Sequence, residues 1–357
     1  MAWDERWAGW RNGMLGSARF QALAARTPGL RGMARRHGAA LFDLVAGFVY
    51  AQVLAACVEL GLFERLAGGA RDGAGLASDM GLSDAATERL LKAAAALALV
   101  QRLRDGRWML GVRGAALRGN PGIAAMVAHH RALYADLNEP VALLRRERGG
   151  ALAGYWDYDR AAADNVAAYS TLMAASQPMV ARQVLDAVSL ADARCLLDVG
   201  GGEGAFLEAV RARWPRLALH LFDLPPVVAR AQARLGPGVT VHGGSFHDDP
   251  LPVVADVITL VRVLHDHDDA EALLLLRRVH AALPAGGRLV IAEPMADTAG
   301  ARAMGDAYFG LYLWAMGRGR PRTGAEIIAM LRAVGFAGAR MRRTGLPLVA
   351  GMIVAHR

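Results

Sequence analysis

The residues best placed to do chemistry sit where short apolar runs end. Val257-Ile258-Thr259-Leu260-Val261-Arg262-Val263-Leu264 reads as a β-strand and delivers His265-Asp266-His267-Asp268-Asp269. A second run, Leu289-Val290-Ile291-Ala292, ends at Glu293. An imidazole titrates near neutrality and suits general-base work on a hydroxyl. A carboxylate on the same rim can orient such a ring by accepting from its second nitrogen; Glu293 is the candidate. The plain alternative for His265 is a polar loop after a buried strand, with Asp268 capping the helix that follows. Glu293 in phase, and a glycine loop upstream, favour the catalytic reading.

That loop is Leu197-Asp198-Val199-Gly200-Gly201-Gly202-Glu203-Gly204, which follows a strand and opens a helix. Gly200, Gly201, Gly202 and Gly204 let the backbone turn tightly and approach a ligand closely. The motif alone is ambiguous, because Gly200-x-Gly202-x-x-Ala205 also satisfies the nicotinamide dinucleotide fingerprint. Asp198, two residues before the first glycine, can face the amino group of a cationic ligand. Asp223 ends the next strand in HLFDLPPVV and can accept from both hydroxyls of a ribose, although a dinucleotide fold would also place an acid there. Leu224 after it, Ser245-Phe246 in GGSF, and Arg262 complete the candidate cofactor shell.

Five apolar, β-branched runs (Cys195–Val199, Leu217–Phe222, Val239–His242, Asp256–Val263 and Arg288–Ala292) alternate with helical segments. Such alternation predicts a Rossmann-like α/β fold: a mostly parallel sheet covered on both faces, with ligands beyond the carboxyl ends of the strands. Ala339–Thr344 and Met352–His356 flank Gly345-Leu346-Pro347, which predicts a terminal antiparallel strand pair. The domain reading is a helical, winged-helix-like dimerisation domain over 1–120, a helical connection over 121–190 contributing to a substrate pocket, and a catalytic domain over 191–357. Within the first, a turn at Gly81, a helix capped by Ser83 and a hairpin around Asp105-Gly106 give the winged-helix pattern. Its second helix offers Arg89 and Lys92 and then runs Ala93–Val100 without a polar side chain, which suits packing rather than DNA reading.

The composition supports a globular chain: 357 residues, 54% hydrophobic and 21% charged. The net charge of +8 is carried almost wholly by arginine, Lys92 being the sole lysine. The arginines are scattered apart from a looser group between Arg6 and Arg36, so no nucleic-acid partner is expected. Cys57 and Cys195 lie far apart, which argues against a disulfide framework or a zinc site and fits a reducing cytoplasm. The start, MAWDERWAGWRNG, lacks the apolar core of a secretory signal. In the apolar stretch Ala40–Leu66 the longest charge-free run, Leu44–Val58, is 15 residues. A span needs about 20, so a buried interface or core helix is expected. Trp3, Trp7, Trp10 and Met14 form one helical stripe. It suits either a dimer contact or an amphipathic helix peripheral to a membrane, and both readings stay open.

Taken in order, LLDVGGGEG, FDLP, GGSF, VRVLHD, LVIAEP and GRPRT (319–323) resemble the large O-methyltransferase family of plant caffeate-type enzymes and bacterial pigment and antibiotic methyltransferases. The likeness runs over nearly the whole chain. It implies S-adenosylmethionine as cofactor, S-adenosylhomocysteine as product, no metal, a homodimer through the N-terminal domain, His265 as the base and Glu293 as a flanking acid. Three positions depart from the family pattern. Ser245 stands where Asp is frequent, His267 where Trp commonly follows the His-Asp pair, and Pro321 where many members carry a second flanking Glu. Base orientation then rests on Glu293 or on Asp266. Within the family, LFDLVAGFVYAQVLAACVELGLF, GDAYFGLYLWAMGRGRPRT and the tryptophan–arginine start are similar to the hydroxyneurosporene (demethylspheroidene) group of purple phototrophic bacteria. That likeness implies a hydroxycarotenoid substrate with a tertiary hydroxyl; a bacteriochlorophyll-type pigment or a small phenol is the alternative. Met173, Met304, Tyr308, Phe309, Tyr312, Trp314 and Met316 are the candidate pocket lining, each individually also an ordinary core residue. A nicotinamide oxidoreductase and a winged-helix regulator remain the other classes. The expected location is the cytoplasm, with peripheral contact at the photosynthetic membrane as an option.

Overall fold

A computed structural model describes residues 3–146, 149–155 and 176–357. They form two compact units, Met1–Ala116 and Leu117–Arg357.

The N-terminal unit opens with helices Trp3–Gly16, Ala18–Arg26 and Arg31–Glu59. Ser83 caps the helix Asp84–Ala96 by accepting from the Ala86 N–H, as its position in the sequence predicts. Gly81 takes a left-handed φ of 65° to end the helix Gly73–Met80, a conformation that favours glycine. The hairpin consists of β1 (Val100–Arg102) and β2 (Trp108–Leu110). Leu62, Phe63, Leu76, Leu91, Ala94 and Trp108 are buried. The long helix Arg31–Glu59 departs from one expectation: it is not a core helix of this chain. Leu41, Phe42, Leu44, Val45 and Phe48 are exposed, because no second layer of the unit covers them. By length and composition alone this helix is apolar enough to cross a membrane.

In the second unit, seven strands run β3 (Cys195–Val199), β4 (Ala218–Asp223), β5 (Thr240–Gly243), β6 (Val257–Val261), β7 (Arg288–Glu293), β8 (Ala337–Arg342) and β9 (Gly351–His356). Their order across the sheet is β5-β4-β3-β6-β7-β9-β8. β3 to β7 are parallel, β9 pairs antiparallel with β7, and β8 antiparallel with β9. The predicted parallel sheet and terminal antiparallel pair are therefore both present. Every residue of β6 is buried, as befits a central strand covered on both faces. Apolar clusters pack on the two faces, one around Phe206, Leu207, Val210 and Ala231, the other around Leu275, Leu276, Val279 and Ile327. Strand order reverses about β3 and β6, so their carboxyl ends flank the crevice where an open α/β sheet binds ligands.

The run through Leu264 proves shorter as a strand than the sequence predicts. β6 stops at Val261, Arg262 takes φ 60°, and Leu264–Asp266 form a 3-10 turn. A non-glycine residue at positive φ is uncommon and costs backbone energy. Here it turns the chain so that the His265 backbone N–H meets Glu293 at the end of β7.

Candidate active site

The glycine loop closes over the end of β3. Asp198 is buried, and its Oδ1 accepts from the Thr259 hydroxyl at 2.6 Å while Oδ2 is buried without a partner among the described residues. Burial, with Asp223 nearby and the Thr259 bond opposing, pushes its carboxyl up to about 7. A Cβ on Gly200 would meet Val263 Cγ2 at 2.8 Å, so the turn and the loop that carries His265 pack without room for a side chain. Gly202 instead faces open space at φ 58°. Asp223, half-buried at the end of β4, accepts from the Gly202 N–H and the Leu224 N–H, both at 2.8 Å. Burial raises its carboxyl despite those two donors and Arg230. Asp223 thus ties the loop down, a role not evident from its type and place alone. The Ser245 hydroxyl accepts from the His247 N–H at 3.3 Å, and its own N–H donates to Asp249, so Ser245 is occupied in a local turn. Phe246 packs edge-on against His267, ring centroids 4.9 Å apart. Arg262 donates to the Ser176 hydroxyl at 2.7 Å.

His265, Asp266 and Glu293 come together and are all buried. The division of labour differs from the sequence expectation for Glu293. The ring is held by Asp266, whose Oδ1 lies 3.0 Å from Nε2. Glu293 Oε2 accepts from the His265 backbone N–H at 3.0 Å. The reason is the 3-10 turn, which presents the backbone of His265 to β7 and leaves its ring beside the next residue. Burial alone would hold the imidazole low, but Asp266, through charge and hydrogen bond, and Glu293 together carry it above its ordinary value. Desolvation likewise raises Glu293, against the pull of His265 and Arg322. His265 Nδ1 and Glu293 Oε1 are buried without a partner among the described residues. Buried polar atoms are normally bonded, so these two, with Asp198 Oδ2 beneath the glycine loop, are atoms that ligand groups could satisfy.

The aromatic segment leans on this constellation. Ala303–Phe309 form a π-helix that continues as the α-helix Gly310–Met316; π segments are rare and frequent at functional sites. The Phe309 ring stacks on His265 at 5.8 Å. Tyr308 and Tyr312 stack on each other at 5.9 Å. Their hydroxyls meet His130 Nε2 at 2.7 Å and His129 Nε2 at 2.9 Å. Burial lowers both imidazoles and raises both phenols. Met304 packs beside this cluster and Met316 within it. Trp314 donates its indole N–H to the Leu143 carbonyl at 3.0 Å, a bond to the neighbouring helix Pro140–Arg145. Met173 lies outside the described residues.

Arg322 is the residue that reasoning from sequence missed. Fully buried, it donates to the carbonyls of Leu264 and His267 at 2.8 and 2.7 Å and to Asp269. It clamps both ends of the loop that carries His265. The motif GRPRT was the available signal, but nothing in it says which backbone the guanidinium reaches. Among the described residues, no three His, Cys, Asp or Glu side chains group as metal ligands.

Residues 134–337 match the O-methyltransferase domain family, and residues 42–112 the O-methyltransferase dimerisation domain. The chain belongs to the O-methyltransferase family. This O-methyltransferase is 47% identical to demethylspheroidene O-methyltransferase of Cereibacter sphaeroides, with 96% of this chain and 93% of that one covered. The enzyme of the same name from Rhodobacter capsulatus is 46% identical, over 96% and 88%. The crystal structure of human N-acetylserotonin methyltransferase in complex with S-adenosylmethionine superposes with a TM-score of 0.76 at 25% identity, covering 90% of this chain and 97% of that one. The enzyme uses S-adenosylmethionine, and the rim fits it: an open glycine edge at Gly202, the Asp223 carboxylate beside it, and an unpartnered buried carboxylate oxygen on Asp198 for a cationic amino group.

Proposed function

We propose that this enzyme acts as a homodimer and methylates the tertiary hydroxyl of a hydroxycarotenoid, with His265 as general base. The observation that carries the acceptor is the near full-length similarity to two demethylspheroidene O-methyltransferases. The aromatic and methionine surface between Met304 and Met316 beside His265 supports it. Pairing through residues 42–112 follows from their match to the dimerisation domain.

When bound, S-adenosylmethionine supplies an activated methyl on sulfur. The protein must bring the acceptor oxygen in line with that methyl and take its proton. A neutral His265 that donates Nε2–H to Asp266 leaves the Nδ1 lone pair, without a partner among the described residues, to accept the hydroxyl proton. With S-adenosylmethionine held by Asp198, the glycine loop and Asp223, its methyl would pass to that oxygen and leave S-adenosylhomocysteine, while His265 keeps the hydroxyl proton. Asp266 stabilises the imidazolium as it forms. Burial of His265, Asp266 and Glu293 excludes water that would solvate the nucleophile. Positioning contributes up to about 7–11 kcal/mol in such arrangements, and the base roughly 10²–10⁴-fold.

The test is incubation with labelled S-adenosylmethionine and a panel of tertiary hydroxycarotenoids, phenols and chlorin pigments. A methyl ether on the carotenoid, lost by roughly 10²–10⁴-fold in His265→Ala with S-adenosylhomocysteine affinity retained, is expected. Label found only on the phenols or chlorins would overturn the acceptor, and a fully active His265→Ala the mechanism.

A further inference from the structure

We propose that the N-terminal helical segment, residues 3–36, docks this enzyme on an anionic bilayer surface. Three observations carry the inference, and none depends on which acceptor is methylated. The first is apolar: no residue of the helix Trp3–Gly16 is buried, and Trp3, Trp7 and Trp10 are 81%, 51% and 57% exposed. Their rings form one continuous stack, with centroids 6.4 and 5.0 Å apart. Indoles in a row on one helix face are the side chains that settle at the boundary between headgroups and acyl chains. Leu15, Leu23 and Met33 extend the exposed apolar surface along the segment.

The second is electrostatic. The segment carries Arg6, Arg11, Arg19, Arg26, Arg31, Arg35 and Arg36 against Asp4 and Glu5, seven positive charges less two, a net +5. All seven arginines are exposed. Their side-chain hydrogen bonds among the described residues are local, Arg11 to Asn12 and Arg36 to the Gly32 carbonyl. Among the described residues none is ion-paired, whereas many arginines elsewhere in the chain are. Each arginine near an anionic leaflet raises partitioning by about fivefold. Surface negative charge is therefore the complement the segment lacks among the described residues.

The third separates this surface from the dimer contact. The match to the dimerisation domain begins at residue 42, after the tryptophans and all seven arginines. The exposed cluster Leu41–Val49 on the long helix straddles that start and falls to the second copy. A two-fold contact made by residues 3–36 would instead bring like-charged segments together, which interfaces avoid. A water-insoluble acceptor would be collected from the same lipid surface.

The experiment uses the full chain and substrate-free vesicles, so its outcome is independent of the acceptor. The wild type should co-sediment with vesicles containing anionic lipid and remain in the supernatant with purely zwitterionic ones, binding less as salt is raised above about 0.15 M. Two variants, Trp3→Ser/Trp7→Ser/Trp10→Ser and Arg6→Gln/Arg11→Gln/Arg19→Gln, should each lower vesicle binding by at least about tenfold. Both should elute as the wild-type oligomer and bind S-adenosylhomocysteine as before. The proposal is overturned if the wild type ignores anionic vesicles. It is overturned equally if the tryptophan variant falls to monomers while its vesicle binding per folded protein is unchanged.

Discussion

The Phe309 ring lies stacked on the imidazole of His265, centroids 5.8 Å apart and planes 28° from parallel. Two elements far apart in sequence, the π-helix and the turn after β6, are thereby joined at the proposed base. Replacing Phe309 with Leu keeps much of the volume and removes the stack. Aromatic stacking is worth about 0.5–1.5 kcal/mol, so kcat should fall by up to about tenfold while S-adenosylhomocysteine affinity is kept. An unchanged kcat would show that Asp266 alone sets the ring.

Asp266 gives the clearest pH signature. The base must be neutral to act, so activity climbs with pH through the imidazole pKa, which Asp266 and Glu293 hold above its ordinary value against burial. Asp266→Asn removes the larger of these upward influences. The acid limb of the kcat profile should move to lower pH, with a reduced plateau because the imidazolium loses its partner. A limb that stays in place would assign the titration to another group.

Asp198 links cofactor binding to stability. Its folded carboxyl, at about 7, is raised above the unfolded value. The folded state therefore holds its proton longer. The stability this confers is complete below the unfolded pKa and is lost as pH rises toward and through 7. Asp198→Asn should stabilise the cofactor-free protein at pH 8, by at most about 4 kcal/mol from a shift of roughly three pKa units. The same change should weaken S-adenosylmethionine, whose amino group needs the ionised acid. Thermal unfolding with and without cofactor separates the two effects, and a lower Tm for the free variant at pH 8 would refute the assignment.

Arg322 should be intolerant even of lysine. Its fork serves Leu264, His267 and Asp269 at once, and a lysine ammonium cannot reproduce that geometry. Arg322→Lys leaves buried carbonyls short of donors at about 1–3 kcal/mol each. A lowered Tm with a parallel loss of kcat is expected; a variant with wild-type turnover would show that the loop holds itself.

Sequence alone made legible what repeats at short range. The strand–glycine–helix unit at Asp198–Gly204 and the caps at Ser83 and Gly81 are local, and so is the alternation that announced the parallel sheet. What escaped depends on distance. His129 and His130 meet Tyr312 and Tyr308 across 183 and 178 positions, and no pattern within either helix announces the pairing. The end of β6 was misplaced because Val263 and Leu264 are good strand residues. The positive φ of Arg262 is imposed by tertiary packing, including its N–H donated to the Ala292 carbonyl at 2.8 Å. Glu293 was placed on the right rim, but whether it serves a ring nitrogen or a backbone N–H is set by that same turn.

The π-helix at Ala303–Phe309 makes the aromatic wall beside His265 adjustable by a deletion. A π segment is an α-helix with a residue too many, so losing one residue there would restore regular winding within Ala303–Phe309 and leave the helix beyond it close to its present register. Tyr308 and Phe309 would turn away from His130 and His265 while Tyr312–Met316 kept their composition. The facing of that wall is thus a matter of one residue's presence within the segment. A related enzyme with the same aromatic residues and one fewer position would present a different wall to its substrate.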